Sequence, residues 1–156
     1  MSLVSMNNTD LRNFSLFSDL SSDDCVLLAP LFSLQDFSVG SLLVKQDDMS
    51  SNLFLVVSGI VEVRLPLIGP NGTTSVGKFG PGECVGELSL AKLARRAASA
   101  TAHLECQCLV ADTVKLSELL AANPKVGFLV FRRLAAIITD RLVATNMKLR
   151  NSESHV

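Results

Sequence analysis

Phe79-Gly80-Pro81-Gly82-Glu83-Cys84-Val85-Gly86-Glu87-Leu88-Ser89-Leu90 is followed, after four residues, by Arg95-Arg96-Ala97-Ala98-Ser99. A glycine-rich turn here feeds a short helical segment that begins at Glu87. Glycine at position 86 lets the backbone approach a ligand closely, and the first free N–H groups of the helix point at an anion. Arg96 lies ten residues after Gly86; it is permanently charged and presents a planar fork of donors suited to phosphate. Glu87, when ionised, only accepts hydrogen bonds, which suits a sugar hydroxyl and repels a phosphate. One acceptor, one fixed cation and a set of backbone donors describe a sugar-phosphate pocket. Taken singly, Arg96 reads as a surface strand residue and Glu87 as a helix N-terminal carboxylate favoured by the macrodipole. Gly80-x-Gly82-x-x-x-Gly86 differs by one position from a dinucleotide fingerprint, and no βαβ unit surrounds it.

Around this stretch the pattern is β-like. From Leu34 to Asp112 short runs alternate with glycine or polar turns, most clearly Ser41 to Lys45, Leu53 to Val57 and Ile60 to Leu65. Val61-Glu62-Val63-Arg64-Leu65 alternates apolar and polar, as a half-buried strand does. Ser58-Gly59 bends the chain, and Pro70-Asn71-Gly72 is a hairpin turn, because Asn and Gly accept positive φ. Many short strands point to an all-β barrel or jelly roll.

Helical periodicity flanks that core. Ser21-Ser22-Asp23-Asp24 caps a short helix through Leu31, with Val26, Leu27, Leu28 and Leu31 as its apolar side. Leu116 to Ala122 reads as a short helix, stopped before Asn123-Pro124. Lys125 to Arg150 reads as one long helix of roughly 39 Å. Along one side of it lie Leu134, Ile138, Leu142 and Thr145 or Asn146, with Ile137, Arg141 and Lys148 beside them; Gly127 marks a bend. The expected organisation is a loose tail over 1–13, one domain over 14–150 and a tail over 151–156. Met1 to Ser5 has the look of a cloning remnant.

With 156 residues, 48% of them apolar and 19% charged, the chain suits one domain with a single core. A net charge of −1 offers no basic excess for gripping nucleic acid. Leu53 to Val57 is too short to cross a bilayer, and Arg132-Arg133 interrupt the later apolar run. Without a secretory pattern at the start, a cytoplasmic location is expected. Cys25, Cys84, Cys106 and Cys108 are irregularly spaced and read as buried reduced thiols, with Cys106 and Cys108 on one strand face. No metal is expected, since His103 and His155 are the only histidines. That also disfavours a metal-dependent enzyme on a jelly-roll core.

The order Gly86-Glu87-Leu88-Ser89-Leu90, then Arg96-Ala97-Ala98-Ser99, resembles the phosphate-binding cassette of the cyclic nucleotide-binding domain family. That family includes kinase regulatory subunits, nucleotide-gated channels and the bacterial cAMP receptor activator. Gly40, Gly59 and Pro81-Gly82 fall where the family places turns, and the resemblance spans about residues 14 to 150. It implies a mainly β fold: an eight-stranded jelly-roll (double-stranded β-helix) barrel, a leading helix and two C-terminal helices, one of them long. It further implies that Glu87 takes the ribose 2′-hydroxyl and Arg96 the exocyclic phosphate oxygens. Backbone N–H groups of Leu88, Ser89 and Ala97 would complete the phosphate shell. Ala97 stands where relatives favouring cGMP often carry threonine. Its methyl removes one hydrogen bond, worth about 1 kcal/mol, so cAMP is favoured over cGMP; Ser99 could partly replace the contact. Leu142-Val143-Ala144-Thr145-Asn146, preceded by Arg141, resembles the base-contacting segment of the bacterial activators once a four-residue insertion is allowed. Thr145 and Asn146 are thus candidate purine ligands, or a solvated helix face.

The expected function is a cyclic-nucleotide sensor without catalytic activity and without a cofactor, its ligand cAMP or, second, cGMP. Occupancy would reach a protein partner, or a second copy in a homodimer, through the long helix. An intact DNA-binding activator is not expected, because too little chain follows that helix. The alternative is a degenerate domain that binds another small anion or only a protein, against which Glu87 and Arg96 argue.

Overall fold

A computed structural model describes residues 10–153. The expectations placed on residues 1–9 and 154–156 lie outside the described residues. Two 3-10 turns, Leu11–Asn13 and Ser15–Phe17, precede helix α1 (Ser22–Leu28) and a third such turn, Ala29–Leu31. Eight strands follow: β1 (Ser33–Phe37), β2 (Leu42–Val44), β3 (Asn52–Ser58), β4 (Val61–Pro66), β5 (Thr73–Phe79), β6 (Cys84–Val85), β7 (Ser99–Ala102) and β8 (Cys106–Asp112). Between β6 and β7 sits the short helix α2 (Leu88–Ala91), and after β8 come α3 (Thr113–Ala122) and α4 (Pro124–Glu153). The fold is mainly β with flanking helices, as expected.

The strands form two antiparallel four-stranded sheets, ordered β1-β8-β3-β6 and β2-β7-β4-β5. Between them lie Phe54, Val56, Val61, Val85, Ala100, Ala102 and both Cys106 and Cys108. The opposite face of β3 and β8 presents Leu53, Leu55, Leu109 and Ala111 to the helices. These two strands are therefore buried on both sides, which explains why Leu53 to Val57 is a continuous apolar run rather than an alternating one. All four cysteines are free and buried.

Several boundaries differ from the sequence reading. Residues 11–13 are not a loose tail: Asp10 accepts from the Arg12 N–H, and Leu11 is buried in the helical core. Helix α1, held by the Ser21–Asp24 capping box, buries Cys25 and Leu28, whereas Val26 and Leu27 face outward. The helical period selects 25 and 28 for one face and turns the two intervening residues away. In the β4–β5 connection positive φ falls on Gly69 and Gly72, not on Asn71. Helix α4 starts at Pro124, where a missing N–H costs nothing, and extends past Arg150 to Glu153.

The first half of α4 is packed down by Val126, Val130 and Leu134. Arg132 and Arg133 both pair with Asp19, at 3.0 and 3.1 Å. The helix runs through Gly127 without interruption. A Cβ there would sit 2.8 Å from the Leu120 carbonyl oxygen, so the glycine lets α4 press directly on α3. Beyond Arg141 every described residue of α4 is exposed. No helix among the described residues is long and apolar enough to cross a membrane.

Candidate functional site

Strand β6 is only two residues long because Gly86 turns the chain away at φ +82. A Cβ at Gly86 would lie 2.5 Å from the Asn52 carbonyl oxygen, so both conformation and space require glycine. Glu87 follows and is 5% exposed. Its carboxylate makes no capping bond to α2. Instead it accepts from Nη1 of Arg141, reaching across from α4.

Arg96 is 8% exposed. Its guanidinium donates only to neutral oxygens: Nη2 to Asn52 O at 2.8 Å, Nη1 to Gly86 O at 3.3 Å and Nε to Ser50 Oγ at 3.3 Å. Among the described residues it has no carboxylate partner within ion-pair distance. Burial pulls its pKa below the usual arginine value, while the charges of Glu87 and Asp48 act to raise it. A buried cation with no carboxylate in direct contact is costly unless an anion joins it, so the arrangement favours an anionic ligand.

These groups open onto a cavity of about 880 Å³, near the top of the range of about 300–1,000 Å³ usual for small-ligand pockets. Gly86, Glu87, Leu88, Ser89, Arg96, Ala97, Ser99 and Thr145 all line it, with apolar walls from Val44, Val63, Val76 and Val85. Asn146 does not; one residue beyond Thr145, it turns with the helix to the exposed side. Ser99 Oγ already accepts from the Gln46 N–H at 3.0 Å. Thr145 Oγ1 donates to its own helix at Arg141 O, 2.9 Å away.

Arg141 is the residue that sequence reasoning did not rank as part of the site. Besides Glu87 it donates from Nη2 to Cys84 O at 2.6 Å, and its guanidinium lies 4.4 Å over the Phe79 ring. Burial works to lower its pKa, but Glu87 and its other neighbours more than offset this and hold it above the usual value. The Cys84 thiol beneath is pushed up to about 12, chiefly by burial. Two turns further on, Lys148 Nζ donates to Val76 O at 3.2 Å. Helix α4 thus closes one side of the cavity, tied to the sheet by two cations.

A glycine-initiated cassette with a buried arginine, inserted between β6 and β7 of a double-sheet fold, defines a class. Residues 34–123 match the family model of the cyclic nucleotide-binding domain, and the chain belongs to that family. It is similar to the cyclic AMP receptor protein of Thermus thermophilus, with 30% identity over 140 residues that cover 89% of this chain and 62% of that protein. It is also similar to glutaminase 2 of Bradyrhizobium diazoefficiens, with 25% identity over 86% of this chain and 21% of that protein. The chain therefore spans less than two thirds of either relative. Among solved structures, a cyclic nucleotide-binding domain from Methylobacillus flagellatus superimposes with a TM-score of 0.79 at 27% identity, covering 90% of this chain and 79% of that one.

Proposed function

We propose that this domain is a cytoplasmic cAMP sensor that does no chemistry of its own. The observation that carries the reading is Arg96, a buried cation facing a ligand-sized cavity and hydrogen-bonded, among the described residues, to neutral oxygens alone. A cyclic phosphate supplies the missing negative charge, with N–H groups of Leu88, Ser89 and Ala97 around it. Glu87 accepts from the ribose 2′-hydroxyl through the oxygen that Arg141 leaves free. Adenine is favoured by Thr145: its hydroxyl proton is used within the helix, so its lone pairs suit the donor 6-amino group of adenine rather than the acceptor O6 of guanine. Ala97 offers guanine no hydroxyl in return.

Output runs through α4 to a partner or a second copy. Phe128, Phe131, Ala135, Leu142 and Leu149 form an exposed stripe in which 128, 135, 142 and 149 recur every seven residues. That is the seam of a two-stranded coiled coil. Calorimetric titration with cAMP and cGMP tests the ligand assignment. Micromolar or tighter cAMP binding is expected, about −8 kcal/mol or better, and Arg96→Ala should weaken it by at least ~1.5 kcal/mol. Absence of binding heat with either nucleotide, on folded protein, would sink the proposal.

A further inference from the structure

The turn ahead of β3 holds the one non-glycine residue with positive φ among those described, Asp47 at φ 67. Asp48 N donates to Lys45 O at 3.2 Å, so Asp47 occupies the third position of a four-residue turn. A left-handed residue there is the mark of a type II turn, which favours Gly or Asn. Aspartate is tolerated but not preferred in that conformation, and residues held in sparsely populated backbone regions concentrate at functional sites.

What this conformation achieves is visible in its hydrogen bonds. Asp47 N donates to Arg96 O at 2.8 Å, and Asp48 O accepts from Arg96 N at 2.8 Å. Asp47 O accepts from Nη1 of Arg95 at 3.1 Å. The same segment then supplies Ser50 Oγ and Asn52 O to the Arg96 guanidinium. Outside residues 47–52, the guanidinium has one other hydrogen-bond partner among the described residues, Gly86 O. The backbone and the side chain of Arg96 are thus both set by a loop that begins at one left-handed residue. Arginine carries considerable rotamer freedom, and fixing it beforehand is what lets a single cation hold an anion in one place.

We propose that Asp47 is a positioning residue for the ligand's phosphate, acting through its backbone conformation on Arg96. The inference rests on the reading that Arg96 holds that phosphate. The position needs a residue that adopts positive φ; the Asp47 carboxylate itself is dispensable.

The test is a titration of the purified chain with cAMP for Asp47→Gly and Asp47→Ala, each also made with Arg96→Lys, and each checked for folding by circular dichroism. Asp47→Ala should weaken cAMP binding about three- to tenfold, while Asp47→Gly stays within about twofold of wild type. With Lys at 96 the fork that the loop orients is gone, so Asp47→Ala should add no further loss. Asp47→Ser replaces Asp47→Ala should the latter not fold. Equal losses for Gly and Ala would overturn the backbone argument. So would an unchanged affinity for folded Asp47→Ala, or a loss of the same size in the Arg96→Lys background. A wild-type chain that binds cAMP and needs Arg96, yet ignores Asp47, refutes this inference and leaves the site intact. A folded wild-type chain that does not bind cAMP overturns both.

Discussion

Replacing Arg141 by methionine removes the cation from a nearly buried carboxylate while keeping a side chain long enough to cover Phe79. Glu87 is 5% exposed, and the Arg141 side chain is 28% exposed. Stripping one partner from a fully buried ion pair costs about 3–5 kcal/mol. The partial exposure of Arg141 moves the expected cost below that range, to about 2–3 kcal/mol. For a chain of this length each kcal/mol corresponds to about 2–4 °C, so the melting midpoint should fall by about 5–10 °C. Thermal unfolding followed by circular dichroism at neutral pH measures it. Glu87→Gln supplies the control: a neutral amide needs no counter-ion, so the double variant should melt closer to wild type than Arg141→Met alone. A midpoint within about 2 °C of wild type for Arg141→Met would refute the reasoning. So would strict additivity of the two substitutions, because a real pair must couple.

Gly86→Ala forces a methyl against the Asn52 carbonyl oxygen at positive φ, and should cost about 1–2 kcal/mol or more of stability together with cAMP affinity. Melting and titration on the same sample check it. Ala97→Thr places a hydroxyl on the cavity wall and should improve cGMP binding by about 1 kcal/mol, with cAMP little changed; competition titration reads the ratio. Leu142→Glu puts a charge in the exposed α4 stripe and should shift any dimer toward monomer in sedimentation, without moving cAMP affinity per chain. The Asp19 carboxyl is held below its ordinary value of 3.8, first by the hydrogen bond from Arg132 and then by Arg133. Its contribution is present above that ordinary value and is lost as the pH falls through the lowered one. Asp19→Asn should therefore narrow the stability gap between neutral and acid pH, as acid titration of unfolding would show.

The cassette was legible because its parts are close in the chain and each has a steric or electrostatic reason. Gly86 needs positive φ, Glu87 can only accept, and Arg96 cannot lose its charge. The strand runs were legible for the same local reasons, although β3 announced itself by continuity rather than alternation. Arg141 was hidden because it lies 54 positions from Glu87 in a helix where an arginine looks like ordinary surface. Asp47 was hidden because a type II turn advertises itself by Gly or Asn, and neither is present. Leu11, isolated among polar neighbours, carried no period that could have assigned it to the core. Gly127 was read as marking a bend, and only the approach of α3 gives it a spatial role.

That approach has a mechanical consequence. With the Leu120 carbonyl against Gly127 and Asp19 pinning Arg132 and Arg133, the base of α4 is clamped like the root of a cantilever. Arg141 stands fourteen residues along the beam, about 21 Å from Gly127 at the rise of an α-helix, so a 1 Å displacement there is a swing of about 3° at the root. With Gly127 seated on the Leu120 carbonyl, a swing at the root must either move α3 with it or open that contact.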